Sequence, residues 1–214
     1  MTQKTIWMVK RRSGIALDEF KQRWLEHLKT LGKGKVVATV ATGEVALGGK
    51  EAPFDGMAAL YYQKDEPALP SFDFVGQTVV RIAADEHLMS QKPGGGLTQL
   101  KIVRTVYRRK DLTHQQFKDY WLKNHSKLED RVIAESPVQR IVATFAIPQP
   151  GKNPDIDGMV ELYFKSQEDI RAMFAGPIPA MMRKDEENFV QMDAPAIRAV
   201  CEEHIEFGDG ARTN

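Results

Sequence analysis

The sequence repeats itself once, and this limits the possible folds more than any other feature. Residues 6–25 align without a gap on 103–122, so Arg11, Arg12, Phe20, Lys21, Trp24 and Leu25 meet Arg108, Arg109, Phe117, Lys118, Trp121 and Leu122. VVATVA (36–41) meets IVATFA (141–146), and FDGMAALYY (54–62) meets IDGMVELYF (156–164). Phe74, Gly76, Asp85 and Glu86 then meet Phe174, Gly176, Asp185 and Glu186. The blocks keep one order at a period of about 100 residues, which marks a duplicated small domain rather than a solenoid. The 214-residue chain is accordingly read as 1–96 and 97–214.

Element signals are clearest in the second half. KIVRTVYRR is β-branched and reads as a strand. Thr113 and Gln116 form a capping-box pattern, and Phe117, Trp121, Leu128 and Val132 recur at helical spacing, predicting a helix over 114–133. RIVATFAI is a second strand, GKNPDIDG is turn chemistry, and 158–165 is a third strand. Ser166 and Asp169 cap a helix to about Ala175. Gly176, Pro177 and Pro179 end it, a further helix covers 180–190, and AIRAVCEEHIEF is the last strand. The order β-α-β-β-α-β is the ferredoxin-like split βαβ arrangement. The first half is expected to follow it through its third strand and second helix. Its fourth strand is either confined to 97–100, after the linker KPGGGLTQ, or replaced by the strand at 101–109 serving both halves.

Composition removes several function classes. Lys and Arg number 30 against 29 Asp and Glu, so a net charge of +1 gives no general pull toward nucleic acid or acidic membrane. The single cysteine, Cys201, excludes an intramolecular disulfide framework. No apolar run approaches the roughly 18–20 residues that span a bilayer. MTQKTIWMVKRR has no signal-peptide core, so a reducing, cytoplasmic setting is expected. No Cys/His cluster has zinc spacing, no phosphate-binding glycine motif occurs, and no metal or cofactor is expected.

Alternation assigns strand faces. Val160, Leu162 and Phe164 should meet the helices, with Met159, Glu161 and Tyr163 opposite. In the first half Ala58, Leu60 and Tyr62 should meet helices, with Ala59 and Tyr61 opposite. Two sheets packed through their helix-free faces would enclose a barrel-like interior, in which polar groups must be hydrogen-bonded or serve a ligand.

RRSGIALDEFKQRW and RRKDLTHQQFKDYWLKNH, the two D-G-M strands, and the pair ADEHL and KDEENF resemble the EthD-type branch of the dimeric α+β barrels. That family has a basic segment, an F-x-x-(Y/W)-W-x-x-x-H helix, a D-G strand and a late D-E-x-x-F/L helix. The resemblance implies an α+β fold of two ferredoxin-like βαββαβ repeats with antiparallel sheets, of dimeric α+β barrel type. It also implies small aromatic or apolar substrates and often cofactor-free chemistry. His125 stands four residues after Trp121, as in the family pattern. The first half has Leu28 there and Ala59 in place of Glu161, so one working pocket is expected, in the second half.

His125 is the leading proton-transfer candidate; its alternative role is a packed histidine at a helix end. His204 shares a face of the last strand with Arg198, Val200 and Glu202. Ile197, Ala199 and Cys201 on the other face would pack on helices and turn His204 inward. Tyr163 can orient a substrate carbonyl or phenol, and Glu161 can act as a base or pair with Arg104 or Arg108. Trp121, Tyr107 and Tyr61 are candidate substrate contacts. Arg108 either binds an anion or is a solvated strand end. Phe174 and Met181, in the methionine-rich AMFAGPIPAMMRK, form an adaptable wall or fill core. The expected activity is a lyase or isomerase acting on an aromatic or polyketide-like compound. The alternatives are a cofactor-free or haem-linked monooxygenase, and a non-catalytic binding protein. A free barrel face or an exposed strand edge would allow a homodimer.

Overall fold

The computed structural model describes residues 3–31, 35–43, 52–62, 71–94 and 98–207. The chain forms two compact units. The first comprises Met1–Asp85 and Arg198–Asn214, and the second Glu86–Ile197. This differs from a division at 96/97, because the last strand belongs to the first unit. Part of the expected glycine linker, 95–97, lies outside the described residues.

In the first unit, β1 (Gln3–Arg11), β2 (Lys35–Ala41), β3 (Gly56–Tyr62), β4 (Val75–Gln91, as far as Asp85) and β8 (Arg198–Phe207) build an antiparallel sheet. Its order is β4-β1-β3-β2-β8. One helix, α1 (Leu17–Lys29), buries Phe20, Trp24 and Leu28, spaced one turn apart, against Trp7, Val9, Val36, Ala38, Val40, Ala58 and Leu60. Gly56 permits this approach, since a Cβ there would stand 2.9 Å from Trp24 and 3.0 Å from Phe20.

Among the described residues, the D-E stretch of the first half, expected to be helical, is strand: β4 runs through Asp85 and Glu86, while 63–70, where part of the expected second helix falls, lie outside the described residues. Val75, Thr78, Val79, Val80 and Ile82 favour the extended chain. Val80, Ile82 and Ala84 pair with Met8, Ile6 and Lys4 and are buried. The fourth strand is therefore long, and it precedes the linker.

The second unit contains β5 (Leu100–Val106), β6 (Arg140–Ala146) and β7 (Gly158–Phe164), antiparallel in the order β5-β7-β6. The expected capping box starts α2 (His114–Tyr120): Gln116 N donates to Thr113 Oγ1 at 3.2 Å, and Thr113 N to Gln116 Oε1 at 2.8 Å. The predicted single helix is interrupted by a π-turn, Trp121–His125, and resumes as α3 (Ser126–Glu135). Ser166 caps α4 (Gln167–Ala175), and α5 (Ile178–Glu186) follows Pro177. Phe117 and Trp121 pack with Val106, Ala143, Phe145 and Phe189 on the helix-facing side of the sheet.

The same clip occurs in both units. Asp55 accepts the Arg11 backbone N–H at 2.8 Å and pairs with its guanidinium. Asp157 accepts the Arg108 N–H at 3.0 Å and pairs with Arg108 Nε at 3.0 Å. The aspartate of D-G thus ties the end of one strand to the start of another. Among the described residues, no helix is long and apolar enough to cross a membrane.

Candidate active site

The π-turn presents His125. At its end the Ser126 N–H reaches back to the Trp121 carbonyl, and such turns recur at functional sites. His125 is 3% exposed. Its Nδ1 lies 2.7 Å from Asp185 Oδ2, on the last turn of α5, and Tyr120 OH donates to Oδ1 of the same carboxylate at 3.0 Å. The carboxylate is acceptor-only, so Nδ1 carries the proton and Nε2 the lone pair. Nε2 has no hydrogen-bond partner among the described residues. Phe189 lies 4.9 Å from the imidazole centroid and Trp121 meets it edge-on at 5.9 Å. Burial draws the imidazole below its ordinary pKa, against the opposing pull of Asp185. The ring is a neutral, oriented base at neutral pH.

Glu186, the next residue, takes a different partner. Arg104 NH1 and NH2 donate to its two oxygens at 2.5 and 3.0 Å. Arg104 lies opposite Val160 in the β5–β7 register, on the helix-facing side. The D-E pair of the late helix therefore serves two functions, one acid fixing the histidine and the other an arginine.

This side of the second sheet is open where its counterpart is sealed. Val160 and Leu162, on the central strand, are only partly buried, as is Arg104. The corresponding Ala58, Leu60 and Trp7 of the first unit are 0%, 4% and 4% exposed.

Trp121, expected to touch substrate, is instead core. Its ring is buried among Phe117, Phe145 and Phe189, and its Nε1–H donates to Glu129 Oε1 at 3.0 Å. Burial pushes Glu129 up to about 7, although the Trp121 bond lowers it.

The remaining expected residues do not gather around His125. Glu161 and Tyr163 lie on the opposite, helix-free face of β7. There Lys101 Nζ meets Glu161 Oε2 at 2.5 Å, Tyr163 OH donates to the same oxygen at 3.3 Å, and Arg140 lies over the Tyr163 ring at 3.7 Å. Glu161 therefore pairs with Lys101 rather than with Arg104 or Arg108. Tyr61 has the equivalent position in the first unit, beneath Lys35 at 4.5 Å and Lys4 at 5.8 Å.

His204 is a correction. It pairs with Ala38, which packs beneath α1, so it faces the helix and not the helix-free side; Cys201, opposite Ala41, and Glu203 lie on the helix-free face. Apolar alternation misassigned this strand because residues on both faces of its neighbour β2 are buried. Arg108 forms the Asp157 clip and borders a surface cleft of about 300 Å³ with His114 and Lys152. Tyr107 follows β5, with its phenol pushed up by burial and by Asp155 and Asp157. Phe174 lies at the end of α4, and Met181 one turn before Asp185 on α5; both are partly buried.

Sequence reasoning missed Asp185, Glu186, Arg104, Lys101 and Glu129 as members of these clusters. The D-E motif signalled the first two. A lysine inside an apolar strand, at matching positions 4 and 101, signalled the third cluster.

Residues 109–193, within the second unit, match the model of the EthD domain. No curated protein matches the sequence. Among solved structures, an anthrone oxidase-like protein is similar at 8% identity and TM-score 0.66, over 97% of this chain and 94% of its own. A candidate monooxygenase from Lactobacillus acidophilus NCFM is similar at 9% identity and TM-score 0.52, over 96% of each chain. One from Fusobacterium nucleatum subsp. nucleatum is similar at 10% identity and TM-score 0.54, over 96% and 94%. These likenesses establish a shared mixed α+β fold with antiparallel sheet.

Proposed function

We propose that the chain is an oxygen-using enzyme, of oxidase or monooxygenase type, that acts on a small electron-rich aromatic compound. We read its duplication as two ferredoxin-like repeats, the second of which retains the working histidine. The observation that carries the proposal is the buried His125–Asp185 pair, with Nδ1 held by the carboxylate and Nε2 uncommitted. Such a base removes a proton from a phenolic O–H or an acidified ring C–H. The resulting anion is electron-rich enough to reduce dioxygen, with no metal or flavin required in principle. The same base would serve a lyase or isomerase, the class expected from sequence. The named oxidase and monooxygenase neighbours favour oxygen chemistry instead.

The test is oxygen uptake with a panel of phenols and anthrone-type ketones, with product mass measured alongside. Wild type should consume oxygen and give a product heavier by oxygen or lighter by hydrogen. His125→Ala should fold normally and lose this activity. Turnover without oxygen uptake would restore the lyase or isomerase reading, and a Soret band in the purified protein would point to haem.

A further inference from the structure

We propose that Arg104 is the anion-binding residue of the His125 site. Its guanidinium receives the negative charge left on the substrate oxygen when His125 takes the proton. The inference rests on the proposed function and narrows the substrate class to aromatics with an ionisable oxygen, a phenol or an enolisable ketone.

The repeat supplies the first argument. Arg104 occupies the position of Trp7, which is buried in the apolar layer under α1. The second unit places a guanidinium in that layer and pairs it with Glu186, their side chains 17% and 13% exposed. Largely buried ion pairs seldom stabilise a fold more than the apolar residues they replace. A charge pair where the sister unit has tryptophan therefore has a use other than packing.

Donor capacity supplies the second. Guanidinium has five N–H donors, of which Glu186 engages two. Nε–H is buried with no acceptor among the described residues. Arg104 thus retains donors after its anchoring fork is complete. The fork fixes the plane of the group, as an oxyanion site requires.

Position supplies the third. Glu186 adjoins Asp185, which holds His125, and the charges of Arg104 and Glu186 both act on the imidazole. Val160 lies opposite Arg104 on the neighbouring strand, with Leu162 two residues along the same face, and both are partly open. They form an apolar floor for an aromatic ring beside the cation. After proton transfer the imidazolium rests against Asp185 and the oxyanion against Arg104.

Arg104→Met combined with Glu186→Gln removes both charges of the pair, so neither is left buried alone. The probe is 4-nitrophenol, whose anion has its own visible band. At a pH where the free phenol is mostly protonated, wild type should bind it with the anion band raised. The double variant should bind it as the neutral phenol, with kcat on the productive phenol reduced about 10²-fold and KM changed less. Arg104→Lys, which keeps the charge but not the fork, should hold part of the anion band. An anion band and kcat unchanged in the double variant, or neutral binding by wild type, would overturn the assignment. If wild type and His125→Ala bind the phenolate but no phenol drives oxygen uptake, the proposed reaction fails and the anion site stands.

Discussion

The helix-facing sides of the two sheets share a sequence pattern and differ in what they bury. Each carries a Phe and a Trp one turn apart, a glycine that admits the aromatic rings, and an Arg–Asp clip at the strand end. Around that frame the positions diverge. In the alignment of the halves Trp7 corresponds to Arg104, Leu28 to His125, and Ala58 to Val160. In the first unit these residues seal the layer; in the second, its centre is open and charged. Shared positions hold the fold, and divergent positions carry the candidate chemistry.

The comparison breaks most readily at the histidines. His125→Ala should lower turnover at least about 10³-fold, within the usual range for a lost general base. His27→Ala on α1 should leave it within about twofold, since His27 Nδ1 binds only the Arg23 carbonyl of its own helix. Equal losses, in oxygen uptake with circular dichroism unchanged, would refute the assignment. Next come the shared aromatics: Phe20→Ala and Phe117→Ala should each cost about 3–5 kcal/mol in denaturant melts. Asp185→Asn should lower kcat about 10²-fold by allowing the wrong imidazole tautomer, with KM nearly unchanged.

The pH dependence of stability separates Glu129 from His125. The unfolded Glu129 ionises from its ordinary value of 4.5 upward, while the folded protein keeps the proton until about 7. Stability therefore falls as pH rises through that window, by up to about 3 kcal/mol, and Glu129→Gln should flatten the fall. His125 has the opposite sign. Its folded value is depressed, so the unfolded chain binds the proton first, and stability is lost as pH falls below 6.5. Urea midpoints measured across pH for wild type, Glu129→Gln and His125→Ala should resolve the two slopes. The smallest difference lies between the glycines. Gly56→Ala meets Trp24 at 2.9 Å and should cost about 2 kcal/mol. Gly158→Ala meets a Thr144 carbonyl oxygen at 3.1 Å and should cost about 1 kcal/mol in the same melts.

Much of this was legible from the repeat. Capping at Thr113 and Ser166 and the two faces of β7 follow from spacing and alternation, whereas His125 is singled out by the family resemblance. The misreadings have physical causes. Asp85 and Glu86 align with Asp185 and Glu186, but the β-branched residues before them impose a strand. On β8, polarity does not distinguish the sheet faces, because both are buried in the adjoining β2. The π-turn leaves no mark in the hydrophobic pattern. Arg104 was hidden because a charge in a strand reads as a partner for the nearest acid in the same sheet, and its real partner lies on a helix 82 residues away.

The pairing of β2 with β8 has a consequence for how the chain is made. Lys35–Ala41 hydrogen-bonds on one side to β3, which emerges soon after it, and on the other to a strand that begins at Arg198. During synthesis the first unit waits, with an unpaired strand edge, until nearly the whole second unit has left the ribosome. Such an edge invites pairing with other chains. A nascent chain arrested before Arg198 should therefore be the species that chaperones hold, and the final strand is the step that releases it.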